Sequence, residues 1–164
     1  MNNWVEITMK LNGKTVSCRV KPSSLLIDLL RDEFKLKGAK PGCLEGECGA
    51  CAVIIDGNAI NSCMYLAINA EGKEVTTIEG LGSDDNLLDA VQEKMLSHGA
   101  VQCGFCSTGV AMSIKAYSEK MKALGIKPTR EEIKKTLEGH LCRCTGYIKI
   151  IDAAEAVFEE GSEM

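Results

Sequence analysis

Between Trp4 and Val20 apolar and polar positions alternate, and the alternation breaks at Asn12-Gly13. A period of two sets one face of an extended strand against a core. Asn-Gly is a strong signal for a two-residue hairpin, so Trp4 to Leu11 and Thr15 to Val20 are predicted as paired strands. At Leu25, Leu26, Leu29, Leu30 and Phe34 the period becomes helical, with Ser24 placed to cap the helix. Gly38 ends that region and Pro41 stiffens the entry into a cysteine-rich loop. Ala52 to Asp56 reads as a short apolar strand, Gly57-Asn58 as a turn and Ala59-Ile60 as its return. A short segment around Met64 to Ile68 leads to a last strand over Glu74 to Ile78, rich in Val and Thr.

Strand signals stop at Gly80 to Asn86 (GLGSDDN), a polar, Gly-containing linker candidate. Beyond it the spacing is helical throughout. Leu87, Leu88, Val91 and Met95 make one stripe, and Val110, Ile114, Tyr117 and Met121 a second. Thr129 and Glu132 form a capping-box signature ahead of Ile133 and Leu137, and Ile150, Ile151, Ala154, Val157 and Phe158 give a fourth stripe. The expected fold is α+β, with a first domain over residues 1–82 and an all-α four-helix domain over 83–164.

Composition narrows the function. The formal charge of -4 argues against nucleic acid, which needs a basic face. No apolar run approaches the length of a membrane span, and the first residues offer no signal-peptide core. Nine cysteines in such a chain point to a reducing compartment and metal ligation, and hence to the cytoplasm.

Eight of those cysteines fall into two sets. Cys43, Cys48 and Cys51 lie in GCLEGECGAC with C-x4-C-x2-C spacing, and Cys63 follows. That is the plant-type ligand spacing for a [2Fe–2S] cluster. Three thiolates on one short loop must converge from different sides, so the backbone has to wrap. Gly42, Gly46 and Gly49 permit the wrapping, and the freed N–H groups can point at the sulfides. Structural zinc favours two short knuckles, and disulfide frameworks belong to small secreted chains; neither matches this spacing.

The second set is Cys103 and Cys106 (C-x2-C) with Cys142 and Cys144 (C-x-C). Each pair sits ahead of or at the start of a predicted helix, where partial positive charge and free N–H groups stabilise thiolates. A thioredoxin-like motif would need a βαβ context that is absent. A four-cysteine zinc site is the rival for this set alone; beside the first set, a second [2Fe–2S] centre is favoured. Cys18 has no partner at ligand spacing and reads as a small buried hydrophobe. His98 reads as a surface or capping residue, and His140, beside a cysteine pair, as a supporting residue at most. No phosphate-binding or dinucleotide motif is present.

Taken together, GCLEGECGAC, Cys63, VQCGFCSTG and HLCRCTGYIKI resemble the iron–sulfur subunit of the xanthine dehydrogenase family of molybdenum hydroxylases. The resemblance covers nearly the whole chain. It implies a plant-ferredoxin-like (β-grasp) domain and a four-helix domain with pseudo-twofold character, each with one [2Fe–2S] cluster. It also implies a large partner subunit with molybdopterin and the substrate pocket, and a medium subunit with FAD. By position, the Cys103, Cys106, Cys142, Cys144 cluster would lie nearer the molybdenum, with Gln102 hydrogen-bonding the pterin and Cys144 approaching it. The Cys43, Cys48, Cys51, Cys63 cluster would pass electrons toward flavin. Ser107-Thr108 stands where the family commonly has Thr-Pro, and His140 where Asn is usual. The stretch DGNAINSCMYLAINAEGKEVTTIEG is similar to purine-oxidising members, while aldehyde, nicotinate, aromatic acyl-CoA and carbon monoxide dehydrogenases stay open. A free-standing two-cluster ferredoxin and a zinc-stapled interaction module are the alternatives from other classes.

Overall fold

The computed structural model describes residues 3–82 and 87–159. Strands β1 (Val5–Leu11) and β2 (Lys14–Val20) pair antiparallel from Val5↔Val20 to Leu11↔Lys14. Asn12 and Gly13, with φ of 48° and 79°, make the predicted turn. The sheet has 5 strands in the order β2-β1-β5-β3-β4. Strand β5 (Glu74–Thr76) runs parallel to β1 and antiparallel to β3 (Ala52–Ile55), and β3 pairs with β4 (Asn58–Asn61). The β3–β4 turn falls on Asp56 and Gly57 (φ 46° and 79°), one residue earlier than predicted. Asn58 joins the ladder opposite Ile55, and Asp56 is held because its Oδ1 accepts from Glu74 N at 3.0 Å.

The predicted helix is real but irregular. Helix α1 (Leu26–Asp28) passes into a π-helical turn over Leu29–Glu33, where Phe34 N donates to Leu29 O at 3.2 Å. Ser24 does not cap it. The helix entry is instead pinned by the chain beyond Cys63: Leu26 N donates to Tyr65 O (2.7 Å) and Ala67 N to Ser24 O (2.8 Å). Leu26, Leu29 and Leu30 then pack over Ile7, Met9, Val53 and Val75 on one face of the sheet. Cys18 packs half-buried at the edge of this core, as a hydrophobe.

All of β3 is buried because both its faces are covered. Val53 and Ile55 face α1, while Ala52 and Ile54 pack against Met112 and Ala116 of α3 (Ser107–Leu124). The helical half thus covers the second face of the sheet. Its other helices are α2 (Ala90–Ser97), α4 (Arg130–Leu137) and α5 (Ile148–Glu159). The predicted stripe residues Val91, Met95, Val110, Ile114, Ile133, Leu137, Ile150, Ala154 and Val157 form one core. Leu87 and Leu88 do not join it. Asp89 accepts from Val91 N at 2.9 Å and caps α2 after them, leaving both leucines exposed. The Thr129–Glu132 capping box starts α4 as predicted. Of the linker candidate, Gly80 ends a short 3-10 turn (Ile78–Gly80); residues 83–86 lie outside the described residues. Among the described residues no helix is long and apolar enough to cross a membrane.

Candidate metal centres

The first cysteine loop leaves the α1 region at Gly38 and is closed by Lys40 N donating to Ala50 O at 3.0 Å. Within it Leu44, Gly46 and Gly49 have positive φ (60°, 84° and 67°), which folds the backbone around the thiols. The space for these sulfurs depends on glycine: a Cβ on Gly42 would come within 2.8 Å of Cys48 Sγ. Asn61 Nδ2 donates to Gly46 O at 2.8 Å and ties the loop to the end of β4. Ser62 Oγ donates to Cys51 O at 2.7 Å and sets Cys63 beside Cys51.

The four thiols of this set meet as two pairs. Cys43 contacts Cys48, and Cys51 contacts Cys63. Backbone N–H groups of Glu45, Cys48 and Glu47 aim at Cys43; the Glu45 N···Sγ distance is 3.4 Å, and these donors hold the thiol down at about 7. Burial pushes Cys51 up to about 11. The loop therefore stabilises anionic sulfur at its rim and resists uncompensated charge at its base.

The second set has the same character. Cys106 is the N-cap of α3 and is buried, which, with the neighbouring Cys142, pushes its thiol up to about 12. Cys103, which contacts Cys144, is lowered chiefly by the N–H of Phe105, and Cys144 is raised chiefly by Cys103. Cys142 is opposed by burial, yet hydrogen bonds from Thr145 Oγ1 (3.1 Å) and the Thr145 and Cys144 backbone bring it down. Its N–H donates to Tyr147 Oη at 2.9 Å, which orders the loop before α5. Gln102 and Cys144 lie with Cys103 on an exposed rim, beside half-exposed Phe105.

Two observations bear on what such sites hold. In both sets the thiols neighbour one another in twos, Cys43 with Cys48, Cys51 with Cys63, Cys103 with Cys144 and Cys106 with Cys142. A zinc cage would gather four ligands about one ion, whereas a two-iron core takes its cysteines two to each iron. The donor chemistry also fits: buried thiols such as Cys51 and Cys106 ionise only against a strong local cation.

The two sets are joined where the domains touch. Leu141 N, next to Cys142, donates to Cys48 O at 3.1 Å. Gly109 of α3 lies so close to the first loop that a Cβ there would sit 2.0 Å from Gly49 O. Buried His140 fills the same joint, its Nε2 2.7 Å from Ser113 Oγ and its ring against Gly49. Burial holds it neutral, down at about 4. Its Nδ1 has no hydrogen-bond partner among the described residues. This joint has no signature in the sequence beyond the glycines at 49 and 109. His98, as expected, caps α2, its Nδ1 2.9 Å from Lys94 O.

Comparison with known proteins agrees with this geometry. The family described as a 2Fe-2S iron-sulfur cluster binding domain matches residues 9–76, and that described as a [2Fe-2S] binding domain matches 77–155. Together they define a protein with two [2Fe–2S] domains in series. The nicotinate dehydrogenase small FeS subunit of Eubacterium barkeri is 42% identical over 157 residues, covering 96% of this chain and 97% of its own. The xanthine dehydrogenase iron-sulfur-binding subunit of Escherichia coli O157:H7 is 44% identical over 155 residues, covering 93% and 94%. Among solved structures, a chain of quinoline 2-oxidoreductase from Pseudomonas putida 86 superposes with a TM-score of 0.89 at 38% identity, covering 98% of this chain and 97% of that one. The chain belongs to the family of iron–sulfur subunits of molybdenum hydroxylases, and its role is electron transfer within an oxidoreductase.

Proposed function

We propose that Cys43, Cys48, Cys51 and Cys63 hold one [2Fe–2S] cluster in a domain over residues 1–82, and Cys103, Cys106, Cys142 and Cys144 the other over 83–164. The observation that carries this is the assembly of eight thiols into two sets, each of two contacting pairs. When bound, the clusters supply one-electron transfer between the molybdopterin of a large partner subunit and the FAD of a medium one. The chain's own residues do the rest. Gly42 makes room for Cys48 Sγ, the positive φ of Gly46 and Gly49 turns the loop, backbone N–H groups face the rim sulfurs, and a hydrogen bond from Leu141 N to Cys48 O links the two ligand loops.

Exposed Gln102 and Cys144 mark the rim that would face the pterin; an amide offers both a donor and an acceptor to such an edge. Relatives at 38–44% identity include nicotinate, nicotine, aldehyde and xanthine enzymes, so purine and non-purine substrates are matched alike. Substrate choice belongs to the large subunit in this reading. Nine cysteines with no disulfide among the described residues suit a reducing cytoplasm. Purified protein should contain iron and acid-labile sulfide for two clusters and give two distinct EPR signals when reduced. Stoichiometric zinc without labile sulfide would refute it.

A further inference from the structure

Lys40 stands between the two cysteine sets. Its backbone closes the first loop, but its side chain reaches the second domain. Nζ donates to Thr108 Oγ1 at 3.1 Å and to Gly38 O at 3.4 Å, and Thr108 Oγ1 donates to Gly38 O at 2.8 Å. The ammonium is half-buried and, among the described residues, forms no ion pair. Burial lowers its pKa; Glu79 opposes that, Arg31 adds to it, and Cys106 and Cys103 oppose it. Glu79 is already engaged, accepting from Gly38 N at 2.7 Å and Thr77 Oγ1 at 2.6 Å. A half-buried cation from the first domain therefore stands one hydrogen bond from Thr108, two residues beyond Cys106.

Resting on the ligand assignment above, we propose that Lys40, anchored by Thr108, is a fixed positive charge from the first domain that raises the reduction potential of the Cys103–Cys106–Cys142–Cys144 centre. One electron entering that centre adds one unit of negative charge. A nearby ammonium stabilises the reduced form more than the oxidised one, and no proton need move. Partial burial keeps this interaction from being screened as a surface pair would be. Thr108 anchors the device: its one hydroxyl both receives Lys40 Nζ and donates to Gly38 O.

The test is a potentiometric titration followed by EPR on the holo-protein, in Lys40→Met, Lys40→Arg and Thr108→Val. The signal that survives in Cys48→Ser marks the centre of the second domain. In Lys40→Met that centre should become harder to reduce by about tenfold in equilibrium, or 59 mV for one electron, with a smaller shift at the other centre. Lys40→Arg should restore it. Thr108→Val, which keeps the lysine but frees it, should move the same potential in the same direction by less, and reads the effect if Lys40→Met does not assemble. An unchanged potential in Lys40→Met, or in Thr108→Val if that variant stands alone, overturns the proposal. So does a larger shift at the first-domain centre. Absence of two clusters from the wild type would instead overturn the ligand assignment.

Discussion

Gly109→Ala offers a sharp test of how the two centres are coupled. On an ordinary helix the change is favourable by about 1 kcal/mol. Here the new Cβ would lie 2.0 Å from Gly49 O, 3.0 Å from Gly49 C and 3.1 Å from Ala50 Cα, all backbone of the first cysteine loop. No side chain can rotate out of the way, so α3 and the loop must part by about 1.4 Å to reach ordinary contact at 3.4 Å. That displacement would stretch the Leu141 N···Cys48 O bond, now 3.1 Å, out of range. Overpacking of this kind costs about 1–3 kcal/mol, and the lost hydrogen bond about 1 kcal/mol. After the helix gain, a net loss of about 2 kcal/mol remains, or about 4–8 °C in apparent Tm for a chain of this size. The assay is thermal unfolding of holo-protein at one scan rate, read by visible absorption, with magnetic coupling between the two EPR signals as a second readout. Gly139→Ala is the control, since its Cβ would meet nothing within 4 Å. A Gly109→Ala protein as stable as that control, with wild-type coupling, would refute the close-contact argument.

Replacing Cys48 with Ser should abolish one EPR signal and about half the iron, leaving the second-domain centre intact; loss of both signals in a folded protein would show mixed ligand sets. Gln102→Leu should leave both clusters assembled while slowing cluster reduction by substrate in the reconstituted complex, an effect of about 1–3 kcal/mol if an unsatisfied pterin partner remains; wild-type turnover and cofactor content would remove Gln102 from the path. His140 is neutral when folded, with its pKa down at about 4, so the unfolded chain binds the extra proton. Its contribution is complete above about pH 6.5 and falls as pH drops toward 4, by up to about 3 kcal/mol. His140→Asn should flatten that part of the stability–pH curve, and an unchanged slope would count against a buried neutral ring. Thr129→Ala should cost about 1 kcal/mol by removing the α4 cap, seen as a lower Tm with both EPR signals unchanged.

What the sequence disclosed followed how local its causes are. The Asn12-Gly13 hairpin, the Thr129–Glu132 box and the α3 to α5 stripes are set by residues a few positions apart, and each was legible. The two cysteine spacings are likewise properties of the chain alone. Ser24 misled because the entry to α1 is fixed by Tyr65 and Ala67, about forty residues on in sequence. Leu87 and Leu88 had helical spacing, but Asp89 capped the helix after them. The domain joint was the least visible part. Gly109 reveals its purpose only against the Gly49 carbonyl, Gly49 only against Gly139 and His140, and Lys40 and Thr108 only when two domains bring them together.

The order of strands has a consequence for biosynthesis. Strand β5 lies in the middle of the sheet yet is made last, and it alone joins the β1–β2 hairpin to the β3–β4 hairpin. Until Glu74–Thr76 leave the ribosome, the first domain is two unjoined ribbons, each marginal by itself. Cys43, Cys48, Cys51 and Cys63 have all emerged by then. At roughly 5–20 residues per second, the nascent chain holds four accessible thiols for about a second or two before the sheet can close beside them. Three residues of late strand thus act as the latch on maturation, and slowing translation just after Cys63 would lengthen the interval in which that set can be filled or oxidised.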